Sequence, residues 1–364
     1  MRLFNNLTLP ASADFHVHLR DGEMMEAVTP TIRQGGVNTV FVMPNLVPPI
    51  TTIEHCLSYQ QSLQALAPNV TFLMSLYLHP SITPDTIREA KKAGITGVKS
   101  YPAGVTTNSA SGVFNYEIFY PVFAAMEEED MVLNLHGEVP PTHSPDTTVL
   151  NAEESFLPTF FLLHAKFPTL RIVLEHCTTA AALDAVRACA PNVVGTITAH
   201  HLFLSIDDVV GDPLNFCKPV AKLPSDRVAL LQAALGGEPK FFLGTDSAPH
   251  PLHAKRGGRD EEELSKCAAG VFTQPYATQL VLEAAEMAER SGLVTTGPVL
   301  VENLIGFLGR FGREFYRVPE TEEKIRVLAK DETVQASLLV GDPEGGNKVV
   351  PFRRKEPIYS LEWI

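Results

Sequence analysis

The stretch Ala13-Asp14-Phe15-His16-Val17-His18-Leu19 is a short apolar run that ends in two imidazoles. Strand side chains alternate with period two, so the pattern puts His16 and His18 on one face and Phe15, Val17 and Leu19 on the other. Two imidazoles on one face at a strand's C-terminal end form a natural metal chelate. An isolated His-x-His favours the blander reading, two polar residues at a strand exit. Here the event recurs. Val132-Leu133-Asn134-Leu135-His136, Ile172-Val173-Leu174-Glu175-His176 and Phe241-Phe242-Leu243-Gly244-Thr245-Asp246 are each apolar runs that end in one nitrogen or oxygen ligand. Four such endings point to a metal site on a common rim, and the C-terminal rim is where parallel barrels keep their active sites.

Working outward, strand-like runs fall at 13–19, 39–43, 71–78, 97–101, 131–136, 171–176, 193–198 and 240–244. Helix-like runs lie between them, at 51–66, 84–93, 116–128, 152–167, 179–188 and 225–235. Eight strands alternating with helices predict an α/β fold, a (β/α)8 TIM barrel with short N- and C-terminal additions. A doubly wound open sheet would alternate in the same way, but no GxGxxG follows the first strand. The 364 residues suit one barrel domain over 1–364, with an irregular C-terminal extension from about 333.

The formal net charge of −13 argues against a nucleic-acid binder. It leaves room for a small anionic substrate met by local arginines and metals. The five cysteines are scattered with no CxxC pair, so neither a disulfide framework nor a thiolate zinc site is expected. A reduced, cytoplasmic protein is expected. No stretch approaches the roughly 18 apolar residues of a membrane helix.

Lys99 ends the fourth strand, in Gly97-Val98-Lys99-Ser100. An ammonium beside divalent metals is electrostatically unfavourable. Either Lys99 points elsewhere, as a surface or ion-paired lysine, or its amine has added carbon dioxide to become a carbamate with two metal-bridging oxygens.

Together these residues resemble the cyclic amidohydrolase superfamily, and within it the dihydroorotases. Residues 13–21, Met43-Pro44-Asn45, Gly97-Val98-Lys99-Ser100-Tyr101-Pro102-Ala103-Gly104, Leu135-His136-Gly137-Glu138, Glu175-His176 and Gly244-Thr245-Asp246-Ser247-Ala248-Pro249-His250 follow in family order. The resemblance runs from about residue 7 to 319, and the spacing suits the class II, single-function bacterial and fungal type. It implies one zinc on His16, His18, carbamylated Lys99 (N6-carboxylysine) and Asp246, and a second on Lys99, His136 and His176. It further implies a hydroxide bridging the two zinc ions and a homodimer. Arg20, Asn45 and His250 would hold the substrate carboxylate, and the backbone around Lys218, Ala269 and Gly270 would contact the ring. Two positions depart from the family pattern: Lys218 stands where bacterial members often have an apolar residue, and Thr198-Ala199-His200-His201 replaces a TPxH run. His200 and His201 are not expected as ligands, because the shell is already full.

The implied reaction is the reversible cyclisation of N-carbamoyl-L-aspartate to L-dihydroorotate, a step of de novo pyrimidine synthesis, with Asp246 as proton shuttle. The guanidinium fork of Arg20 matches a carboxylate. The segment 103–113, AGVTTNSASGV, follows Lys99 and reads as a lid whose Thr106 and Thr107 hydroxyls reach the substrate. Met24, Met25, Phe160 and Phe161 are expected in the core. Lys255–Arg259, followed by acidic 260–263, is expected as a charge-paired loop. Two other functions compete: another ring-opening amidohydrolase of the hydantoinase or allantoinase kind, and a metal-free noncatalytic homologue. Retention of every ligand residue argues against the latter.

Overall fold

The computed structural model describes residues 2–109, 111–140, 145–258, 266–293, 297–342 and 345–364. In chain order the strands are β1 (Thr8–Pro10), β2 (Ser12–Val17), β3 (Val37–Val42), β4 (Thr71–Leu73), β5 (Ser75–Tyr77), β6 (Gly97–Ser100) and β7 (Val132–His136). They continue with β8 (Arg171–Glu175), β9 (Val193–Ile197), β10 (Phe241–Leu243), β11 (Lys324–Thr333), β12 (Leu338–Val340), β13 (Asn347–Val349) and β14 (Pro357–Trp363). Strands β2, β3 and β4 pair in parallel, and β5 to β10 form a second parallel run in sequence order. Only Met74 separates β4 from β5, so these two are halves of one barrel strand.

The ring closes between β2 and the chain just after β10. Val17 pairs with Ser247, and the backbone N–H of Asp246 donates to the carbonyl of His16 at 2.9 Å. The buried Asp14 carboxyl locks the seam, accepting from the Thr245 backbone N–H at 2.7 Å and from its hydroxyl at 2.5 Å. The result is a (β/α)8 barrel, as the alternation predicts.

The intervening helices start where threonine can cap them. Thr52, Thr83 and Thr179 each accept from the backbone N–H three residues on, opening the helices Ile53–Leu66, Pro84–Lys92 and Ala180–Ala188. Helices Tyr120–Glu128, Ala152–Lys166, Pro224–Leu235 and Ala277–Arg290 complete the main outer layer. Of the Phe160–Phe161 pair, only Phe160 is buried. One residue further round the helix, Phe161 turns outward at 41% exposure, so its expected place in the core is corrected.

The barrel interior corrects one expectation about the first strand. Ala13, Phe15, Phe41, Val132, Val173, Val194 and Phe242 form one apolar cluster inside the ring, whereas Val17 and Leu19 belong to the layer between barrel and helices. Phe15 and His16 therefore both face inward. The register explains it: Asp14 pairs with Val40 and Val17 with Val42, so two residues of β2 oppose one of β3. That is a β-bulge, which breaks the period of two and re-aims His16 at the rim. The barrel floor is sealed from below by Phe311 and Tyr316, and the Tyr316 ring stacks on Phe15 at a centroid distance of 4.9 Å.

Strands β1, β11 and β14 make an antiparallel sheet, and β12–β13 a hairpin, in the chain's two terminal segments. Ile325 and Leu361 of the sheet press on Gly36, where a Cβ would come within 2.9 Å of both, and Gly36 has φ +73°, so glycine is required twice over. The hairpin lies toward the rim, where Val349 approaches Leu214, His250 and Gly270. Three expected features reach beyond the described residues. These are Ala110 of the lid segment, residues 259–263 of the expected charge-paired loop, and residues 343–344 of the tail. Lys255, expected in that loop, is instead buried at 4% exposure.

Candidate active site

At the C-terminal rim, His16, His18 and Asp246 meet. His16 Nε2 lies 3.2 Å and His18 Nε2 3.0 Å from the same Asp246 Oδ1, and the two ring nitrogens are 3.3 Å apart. The far side of each ring has its own partner. His18 Nδ1 contacts Asn45 Oδ1 at 2.7 Å, and His16 Nδ1 lies 3.2 Å from Glu175 Oε2. An amide oxygen only accepts, so His18 carries its proton on Nδ1 and turns a lone pair on Nε2 toward Asp246. Burial pushes the His18 imidazole down to about 4 and lowers that of His16, so both are neutral at pH 7. Three electron-pair donors thus converge within about 3 Å with no proton to share, an arrangement that fits a metal cation.

His136 and His176 sit beside this cluster. Their ring centroids are 4.6 Å apart, and that of His176 is 5.1 Å from His16. His136 Nε2 contacts the Glu138 carboxylate at 2.6 Å, which leaves Nδ1 as the free ligand atom, the usual outer-shell device for a metal-binding histidine. His176 Nδ1 is buried without a hydrogen-bond partner. Lys99 is fully buried beneath, its Nζ against the Glu175 carboxylate. Burial lowers the Lys99 pKa well below that of an ordinary amine, and the neutral amine is the form that can add carbon dioxide. The donor set, the neutral rings and the unpartnered nitrogen fit a two-metal centre.

Backbone conformation places several of these groups. Arg20, His176 and Asp246 have φ of +63°, +45° and +49°, a region non-glycine residues rarely adopt. At His176 this turn breaks the alternation, so Glu175 and His176 both reach the site from consecutive positions. Strain of this kind gathers at functional residues.

Next to the metal cluster, Arg20 Nη2 is 3.0 Å from His250 Nε2, and Arg20 Nε donates to the Pro249 carbonyl at 3.0 Å. Burial pulls the guanidinium down to about 10, outweighing the opposing field of Asp246. Residues 103–109 and 111–113 fold over this rim. Asn45 Nδ2 donates to Thr107 O at 3.1 Å, and Asn108 Nδ2 donates to Asn45 O at 2.8 Å. Thr107 Oγ1 reaches Ala269 O at 3.4 Å, and Lys218 Nζ donates to Val105 O at 2.6 Å. Thr106 and Thr107 line a cleft of about 650 Å³ together with Lys218 and Ala269. Gly270 has φ +157°, and a Cβ there would meet Ala248 O at 2.4 Å and the His250 ring at 2.8 Å. The structure thus brings every sequence-predicted site residue to one rim.

Sequence reading missed Glu175 as the group beside Lys99 and His16, and Glu138 as the partner of His136. The two acids stand next to expected ligands, which was the available signal. His200, His201 and Cys217 form a further buried group whose ligand atoms lie within 4.8 Å of one another. Lys222 and Lys255 add positive charge around it, which disfavours a second cation site there.

No protein-family model matches the chain. A probable dihydroorotase of Schizosaccharomyces pombe is 50% identical over 358 residues, covering 98% of each chain. The crystal structure of Saccharomyces cerevisiae dihydroorotase in complex with 5-fluoroorotic acid superposes with a TM-score of 0.88 at 44% identity, over 99% of each chain. An L-hydantoinase of Arthrobacter aurescens shares the fold alone, with a TM-score of 0.75 at 17% identity, over 98% of this chain and 87% of that one. Full-length identity at this level, on a barrel whose rim gathers the same motif residues, shows that the chain belongs to the dihydroorotase family of amidohydrolases.

Proposed function

We propose that the chain performs the dihydroorotase reaction, the reversible cyclisation of N-carbamoyl-L-aspartate to L-dihydroorotate, at a centre of two zinc ions. The hydrolytic activity on a cyclic amide follows from family membership. The observation that carries the residue assignment is the triangle of His16 Nε2, His18 Nε2 and Asp246 Oδ1 with no proton to share. His16, His18, Lys99 and Asp246 would hold one ion, and Lys99, His136 and His176 the other.

Bound metals supply a water of lowered pKa and a polarised amide carbonyl. Asp246 accepts the proton of the attacking water and delivers it to the ring nitrogen as the C–N bond opens; in synthesis the same transfers run backwards. Arg20 and His250 hold the substrate carboxylate, joined by Asn45, whose amide is already placed by His18 and the lid. Thr106 and Thr107 close over the substrate and exclude water. The backbone at Lys218, Ala269 and Gly270 contacts the ring.

Lys99 carries a carbamate in this reading. The anion brings two divalent ions nearer neutrality than Asp246 alone can. A second reading has one observation behind it: the contact between Lys99 Nζ and Glu175 is an ordinary buried ion pair. Intact-mass or density measurement of the metal-loaded enzyme separates the two.

The functional test is bound zinc measured together with turnover. The chain is expected to open dihydroorotate and to leave hydantoin and allantoin, which lack the ring carboxylate, nearly untouched. Equal turnover of the three would favour a broader cyclic amidohydrolase, and absence of both zinc and activity would favour a metal-free noncatalytic homologue. We also infer a cytoplasmic homodimer from the family resemblance, with mass by light scattering as the check. Among the described residues no helix is long and apolar enough to cross a membrane.

A further inference from the structure

Lys255 is one of three buried lysines among the described residues, and no carboxylate of those residues lies on its ammonium. Its Nζ instead donates to three backbone carbonyls, those of Phe216 at 2.7 Å, Ala268 at 2.9 Å and Gly270 at 2.8 Å. These carbonyls belong to two loops that are more than 50 residues apart in sequence. One leads into Lys218, and the other flanks Ala269 on both sides. The loops are also joined directly, because Gly270 N–H donates to the same Phe216 carbonyl at 3.0 Å.

We propose that Lys255 is a positioning residue for substrate binding: its ammonium ties the loop before Lys218 to the loop through Ala269 and Gly270, so that the two present one rigid backbone surface to the substrate ring. This rests on the reading that the backbone at these positions contacts the ring. The surface also reaches the carboxylate pocket and the lid. Ala269 O is 3.0 Å from His250 Nε2 and 3.4 Å from Thr107 Oγ1. Lys255 has three N–H donors for three carbonyls, so neither a methionine, which has no donor, nor a neutral amine with two donors can replace it.

Burial lowers the Lys255 amine to about 8, so its protonation changes within a workable pH range. The titratable groups around it are Asp212, Cys217, Cys267, His200 and His250. Burial lowers the pKa of His200 and His250, which are neutral above pH 7, and raises that of both thiols.

The test uses the zinc-loaded enzyme and L-dihydroorotate. In wild type, KM should rise with a midpoint near pH 8. In Lys255→Met, KM at pH 7 should already be about tenfold or more above wild type, since three buried carbonyls lose their donor. In that variant kcat should stay within about threefold, because the proton shuttle and metal ligands are untouched. Its alkaline rise should vanish. A variant with wild-type KM, or a wild-type profile with no rise near pH 8, overturns the proposal. If Lys255→Met does not fold, the wild-type profile decides alone. A wild-type crystal structure with dihydroorotate separates the two ideas. A ring placed away from residues 218, 269 and 270 refutes the contact reading, whereas a ring placed on them with an unchanged KM in Lys255→Met refutes only the role of Lys255.

Discussion

Replacing Arg20 with methionine isolates the carboxylate pocket from the metal centre. The guanidinium is part-buried against Pro249 O and a neutral His250 ring, and burial has pulled its pKa down to about 10. At about 1.4 kcal/mol per tenfold change in proton affinity, holding the cation in this buried place costs on the order of 3 kcal/mol. A substrate carboxylate relieves that cost, and truncating one member of such a desolvated pair typically loses about 2–5 kcal/mol. A loss of about 3 kcal/mol corresponds to a fall in kcat/KM of roughly 150-fold. The sign for stability is the opposite. The depressed pKa means that the folded state disfavours the cation at every pH below about 10. Methionine removes that penalty while giving up the bond to Pro249 O, so the melting temperature should change little. Steady-state kinetics in both directions, with zinc analysis of the same sample, measures the effect. A variant with full zinc and unchanged kcat/KM would refute the placing of a substrate carboxylate on Arg20.

Thr106→Val with Thr107→Val should lower turnover and leave zinc content intact, because only the lid's hydroxyls are lost; normal turnover would reduce segment 103–113 to a surface loop. Chelation should remove about two zinc ions per chain together with activity, and cobalt or manganese should restore it, since imidazole and carboxylate ligands accept either. Active enzyme with no bound metal would contradict the centre. Glu153 is buried and its carboxyl is raised to about 7 by burial, against donors from Thr178 N–H and the Thr179 hydroxyl. The folded state therefore holds this proton where the unfolded chain has lost it, and stability should fall as pH rises from about 4.5 to about 7. Glu153→Gln should flatten that slope and stabilise the protein at pH 8 by up to about 3 kcal/mol; urea denaturation at pH 5 and pH 8 that shows equal effects would contradict the assignment.

Much of the site could be read from where the apolar runs stop. His16, His18, His136, His176 and Asp246 each end such a run, and parallel strands of a barrel share one rim, so sequence position translated directly into spatial proximity. The inward turn of Phe15 was hidden, because a bulge depends on the register with β3 and leaves no mark in the alternation. Glu175 was hidden for a related reason: the left-handed φ at His176 lets two successive side chains enter the site. Tyr316 reaches the barrel floor from a helix 300 residues after Phe15, a long-range contact that no local pattern encodes. Lys255 misled for a different reason. In sequence it opens a run of charges, and only the fold shows that its ammonium donates to three backbone carbonyls.

The most direct test of the two-metal site is the chemical state of Lys99 in active, zinc-loaded enzyme. A crystal structure should show three extra atoms beyond Nζ, with both terminal oxygens on metal and Glu175 released to His16 and Asn134, which already lie against its carboxylate. An unmodified Lys99 amine still paired with Glu175, in a fully active enzyme holding two zinc ions, would contradict it.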